Sequence, residues 1–166
     1  MLNKIIATDH HGASSGAINA ARALSLKVGG HTYRSDDSSE PNLKYITDKK
    51  IKIVDGTEDN RRSAIMMNIK NADATVRIAS DFSIEPDILT MMTRRVHPYY
   101  DFHPAANGEF YEVVERGNIN QLADTIMNNG IKNLHVTGNR EYQSFGIAFW
   151  TANFLARVFR LVAARS

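Results

Sequence analysis

The chain contains no cysteine. That excludes a disulfide scaffold, a thiolate zinc site and a cysteine nucleophile. It also lacks any uninterrupted apolar run of about 18 residues, the length that a membrane-spanning helix requires. The apolar start turns polar at Thr8-Asp9-His10-His11, too early for a secretory signal core, so the expected location is cytoplasmic with no membrane partner. A charge excess is missing as well. Twenty basic against 18 acidic residues give a formal charge of +2, which argues against general nucleic-acid binding but leaves room for a local anion site. There is no internal repeat and no low-complexity tract, and neither GxGxxG, a P-loop nor HExxH occurs.

What is present is an ordinary globular composition, 43% hydrophobic and 23% charged over 166 residues, enough for one domain with a sizeable core. Short β-branched runs alternate with helical periodicity. Lys4 to Thr8, Ile51 to Val54, Ala74 to Ala79, Tyr99 to Phe102 and Leu134 to Thr137 read as strands. Ser14 to Leu26, Arg61 to Lys70, a segment after Pro86, a segment containing Ile119, Leu122 and Ile126, and Phe145 to Ala164 read as helices. Val28-Gly29-Gly30 is expected to end the first helix, and residues 31–50 are expected to form a polar flap. The alternation predicts an α/β chain: a single Rossmann-like three-layer domain over residues 1–166, with a mainly parallel sheet and helices on both faces.

Ligands of open parallel sheets bind at the carboxyl ends of the strands. The first such loop is Thr8-Asp9-His10-His11-Gly12-Ala13-Ser14-Ser15-Gly16, running into a helix N-terminus that suits an anion. Gly12 and Gly16 permit close approach, and the hydroxyls of Ser14 and Ser15 can donate. The same residues also suit a capped helix after a glycine turn. Asp9, His10 and His11 invite a metal, with His97 and His103 as further ligands. Adjacent histidines on an extended segment point apart, however, and the expectation is that no metal binds. In Thr137-Gly138-Asn139-Arg140-Glu141, Gly138 and Asn139 border the site, and Arg140 can grip a phosphate or carboxylate. Glu141 can steer that arginine or act as a base, and a surface Arg–Glu pair is the alternative. Tyr33-Arg34, on the flap, can close over a ligand.

Read together, these loops resemble the putative molybdenum carrier family, a Rossmann-like group in the LOG/DprA-related (SLOG) superfamily. Leu134-His135-Val136-Thr137-Gly138-Asn139-Arg140-Glu141 with Gly146-Ile147 is similar to that family's L-N-V-A-G-P-R-E-S…P-G-I. Asn68-Ile69-Lys70-Asn71-Ala72-Asp73-Ala74-Thr75 is similar to its N-V-x-D-S-D-A-T, and Gly29-Gly30 stands where the family's glycine pair opens a flap. The first loop departs from the family's S-G-G-Q-T-G-V-D, and Glu85-Pro86 replaces a further glycine pair. The resemblance implies a nucleotide or nucleotide-derived signal as ligand, and the family name implies a molybdenum cofactor.

Three functions follow. The first is a carrier, sensor or sponge that binds a phosphate-bearing small molecule. The second is a nucleotide N-glycosidase or phosphoribohydrolase with Asp81, Glu85 or Glu141 as its carboxylate, although the P-G-G-x-G-T-x-x-E segment of the LOG hydrolases is absent. The third is an interaction protein that has lost the pocket. The last helix carries Trp150, Phe154, Leu155, Val158, Phe159, Leu161 and Val162, more apolar surface than one sheet face needs, so a homo-oligomer through that helix is expected.

Overall fold

The computed structural model describes residues 1–8, 10–33, 51–54, 58–80, 97–102 and 111–166. The helix expected after Pro86 and most of the expected flap lie outside these residues. The described strands are β1 (Lys4–Ile6), β2 (Lys27–Tyr33), β3 (Ile51–Val54), β4 (Ala74–Ile78), β5 (Tyr99–Phe102) and β6 (Asn133–Gly138). They form one sheet in the order β3-β2-β1-β6-β4-β5, and every pair is parallel. The described helices are α1 (Ala13–Ala23), α2 (Glu58–Lys70), α3 (Tyr111–Asn128) and α4 (Ile147–Arg165). This is the α/β Rossmann-like architecture that the alternation predicts.

Chirality places the layers. β1-α1-β2 moves toward one edge of the sheet, whereas β3-α2-β4 moves back across it. Right-handed crossovers therefore put α1 and α3 on one face and α2 on the other. Burial agrees with this. Ile5, Val28, Val76, Ile78, Leu134 and Val136 form one core with α1, α3 and α4, while Ile6, with Ala64 and Ile69 of α2, is buried outside it.

α4 is long and apolar enough, at mean hydropathy 1.3, to cross a membrane by length and composition alone. Its Ile147, Phe154, Leu155, Val158, Phe159 and Val162 are spent on the core instead. Most of the apolar excess read from the sequence is thus used within the chain.

One strand was hidden from the sequence. Residues 27–33 form β2, where the first helix was expected to end on glycine and the flap to begin. The helix ends earlier, at Ala23, and Ser25 takes the left-handed turn at φ +56°. Gly30 serves a different purpose. A Cβ there would lie 2.2 Å from the Ala7 carbonyl oxygen, so glycine lets β2 run close beside the end of β1.

Two motif residues act on backbone. Asn68 is fully buried in α2, where its Oδ1 accepts from the His31 N–H at 2.6 Å and its Nδ2 donates to the His31 carbonyl at 2.8 Å. It extends the hydrogen bonding of β2 beyond the last β1–β2 pair, Ile6 with Gly29. Asp73 Oδ2 accepts from the Lys132 and Asn133 N–H groups at 2.8 and 2.7 Å and so fixes the entry to β6.

Candidate functional site at the β1–β6 switch

From β1 the chain builds outward through β2 and β3, then crosses to build β4, β5 and β6 on the other side. β1 and β6 are therefore neighbours where the strand order reverses, the place where such sheets open a crevice. The loops after these two strands are tied together. Gly12 and Arg140 form an antiparallel bridge, with Ala13 N–H donating to the Asn139 carbonyl and Glu141 N–H to the His11 carbonyl, both at 3.0 Å.

Asn139 is the latch. Its N–H donates to the Ile78 carbonyl at 3.2 Å, and its side-chain Oδ1 accepts from Ser80 N–H at 3.0 Å. The Ser80 and Ser144 hydroxyls also share a hydrogen bond. The turns after β1, β4 and β6 are thereby held as one unit. Gly138 makes this possible, since a Cβ there would strike the Ile78 carbonyl oxygen, at a φ of +155° that side chains rarely adopt.

The two loop glycines turn out to serve closure. A Cβ on Gly12 would lie 2.5 Å from the Asn139 oxygen and 2.7 Å from Arg140 Cα. The open side of Gly12 thus faces the β6 loop. Gly16, expected among the ligand-binding residues, lies inside α1 against α4, where a Cβ would be 2.3 Å from the Ala148 oxygen. The serines divide their roles. Ser15 Oγ accepts from Gly12 N–H at 3.1 Å and donates to the Gly12 carbonyl at 3.0 Å, which is capping. Ser14 Oγ accepts from the Thr8 hydroxyl at 3.2 Å, leaving the Ser14 proton to donate elsewhere. Ala13 N–H is consumed by Asn139, so Ser14 and Ser15 carry the remaining amides of that turn.

Three predicted residues converge beside it. Arg140 Nη2 donates to the Tyr33 hydroxyl at 2.5 Å, and the Tyr33 ring meets the His10 ring at 4.6 Å between centroids, tilted by 55°. They come from the ends of β6, β2 and β1. Tyr33 is the last residue of β2 and not part of a flap. A guanidinium held by a phenol next to a helix N-terminus is positively polarised and can attract an anion.

Glu141 turns the other way. Its carboxylate accepts from Gly146 N–H at 2.5 Å and Ala148 N–H at 3.0 Å, capping α4. Its partner is therefore a helix end, and the alternative of a simple Arg140–Glu141 pair is not what forms. Asp9, Arg34, Asp81, Glu85 and His103 lie outside the described residues. Among the described residues, no group of three metal-ligating side chains is gathered.

Sequence reasoning passed over two buried polar residues. Arg77 in β4, 5% exposed, stands in register with Thr137 and Asp101. An arginine inside an apolar strand was the available signal. His135 in β6 is fully buried, with Nδ1 3.1 Å from the Thr75 hydroxyl. Burial, with a smaller contribution from His97 nearby, pushes its pKa down from 6.5 to about 3, so the ring is neutral. Burial also lowers the pKa of His97.

The fold and the joined strand-end loops define a Rossmann-like α/β protein with its candidate site at the strand-order switch. Among solved structures, the chain is similar to a putative molybdenum carrier protein from Syntrophus aciditrophicus, at TM-score 0.66 and 16% identity, over 95% of this chain and 94% of that one. The shared fold is the one that the Leu134–Glu141 and Asn68–Thr75 segments led us to expect. No family model matches the chain, and no match was found among curated proteins.

Proposed function

We propose that this protein binds a phosphate-bearing small molecule, most simply a nucleotide or nucleotide-derived signal, and holds it as a carrier, sensor or sponge. The observation that carries this reading is Arg140, anchored by the Tyr33 hydroxyl beside the first turn of α1. The guanidinium would take the phosphate together with the Ser14 hydroxyl and the amides of that turn. The His10 and Tyr33 rings offer an aromatic surface to the rest of the molecule.

The structural neighbour is named a putative molybdenum carrier, and the family resemblance implies a molybdenum cofactor. The chain has no cysteine, and no metal-ligating group of three is gathered among the described residues. A phosphate-bearing cofactor of that kind would be held through its phosphate by Ser14 and Arg140. Of the three carboxylates offered for hydrolysis, Glu141 is occupied at the start of α4, and Asp81 and Glu85 lie outside the described residues.

The test is mass spectrometry of small molecules released by heating the purified protein, followed by calorimetry with whatever is recovered and with common nucleotides. A recovered phosphate compound that rebinds supports holding. Release of free base from added nucleotides replaces the proposal with the hydrolase. No recovery and no binding leaves an interaction protein.

A further inference from the structure

The outward side of α4 carries two features that complement each other. Its first turn and the turn before it expose aromatics: Phe145 is 96% exposed, Tyr142 and Phe149 are each 66% exposed, and Phe149 meets Trp150 edge-on at 5.9 Å. Such a cluster is unusual on a surface that faces only water. Further along the same side, a groove of about 390 Å³ opens between α3 and α4. Ile119, Leu161 and Ala164 give it apolar walls, and Arg157 and Arg160 stand at it.

Helical geometry aligns the two. Phe149, Asn153, Arg160 and Ala164 recur at spacings of four and seven, on the side opposite the buried Phe154, Leu155, Val158 and Val162. Phe149 and Arg160 are separated by ~16 Å along the axis. Between them Ala152 and Ala156 keep the surface low, beside the exposed Asn153 and Arg157.

We infer that this face is a two-fold contact between two copies of the chain, in which the aromatic cluster of each copy seats in the α3–α4 groove of the other. A two-fold axis through the middle of α4 runs the paired helices antiparallel. It carries each aromatic end to the other copy's groove, and the small central residues let the helices approach. Electrostatics favours the same register. A parallel arrangement sets Arg160 against its own copy, whereas the antiparallel one sets it against aromatic faces, where cation–π attraction operates.

The test is the mass of the full chain by light scattering at micromolar concentration. Wild type is expected at twice 18.6 kDa. Phe149→Lys, which sets a lysine against the two arginines, and Ala164→Glu, which charges the groove, are each expected at 18.6 kDa. Both positions are exposed, so thermal melts of the variants should match wild type; Phe145→Lys is the second variant of the aromatic end. An equal mixture of Phe149→Lys and Ala164→Glu should regain the doubled mass, because the mixed pair keeps one native contact and joins lysine to glutamate in the other. A monomeric wild type, a dimer that survives both variants, or a mixture that stays monomeric each overturns the inference.

Discussion

Gly12 and Arg140 lie 128 positions apart in sequence, yet their backbones form a bridge that closes the turn after β1 onto the turn after β6. Gly12 sits at φ +145°, ψ −143°, a region that only glycine occupies readily. Its missing side chain leaves room for the Asn139 carbonyl. The placement of Arg140 thus depends on a glycine 128 positions away.

Gly12→Val should therefore act first on folding. Backbone strain of about 1–3 kcal/mol adds to the clash with residues 139 and 140. At this chain length each kcal/mol lowers Tm by roughly 2–4 °C, so a loss of several degrees is expected in the absence of ligand. A melt equal to wild type with binding abolished would return Gly12 to the ligand.

Arg140→Ala should weaken a phosphate-bearing ligand roughly ten- to a hundredfold, the equivalent of ~1.5–3 kcal/mol for a lost charge-assisted hydrogen bond. Tyr33→Phe should weaken it less, since the guanidinium remains but loses its anchor. Arg62→Ala, on the exposed side of α2, serves as the control. Equal affinities for Arg140→Ala and the control by calorimetry would remove Arg140 from the site.

The architecture was legible because strands buried on both faces read as β-branched runs between helical periods. β2 was not. Gly29-Gly30 interrupts its pattern, and His31 and Thr32 look like loop residues, although Thr32 is buried and Asn68 satisfies the His31 backbone. The site was legible as loops, through the rule that ligands sit at strand carboxyl ends. Its internal wiring was not. The Arg140–Tyr33 contact spans 107 positions, and nothing local to either residue announces it. Glu141 shows the converse. A glutamate beside an arginine suggested acid–base chemistry, but it lies five residues ahead of Gly146, close enough for its carboxylate to reach forward and cap α4.

That cap is testable. Glu141→Ala should cost about 0.5–2 kcal/mol, as other lost caps do, and lower Tm by a few degrees. Glu141→Gln keeps one acceptor oxygen and should lose less. Ligand affinity should hardly change in either variant. Wild-type Tm with catalytic turnover lost would make the carboxylate part of a reaction instead.

The last expectation concerns pH. His135 is neutral in the folded chain, with a pKa pushed to about 3, and titrates near 6.5 once exposed by unfolding. Between these values the unfolded chain binds the proton and the folded chain does not, so acid favours unfolding. The stabilising effect of keeping this ring neutral is complete above pH 6.5 and is lost progressively as pH falls toward 3. Between pH 6.5 and 5 this amounts to ~2 kcal/mol. His97, lowered in the same direction by burial, adds to the slope. His135→Gln keeps a polar partner for the Thr75 hydroxyl and removes the titration. Urea midpoints measured at pH 7.5 and pH 5 should therefore differ less in His135→Gln than in wild type, even where the variant is less stable at both. Parallel curves for the two proteins would mean that the acid sensitivity arises at other groups.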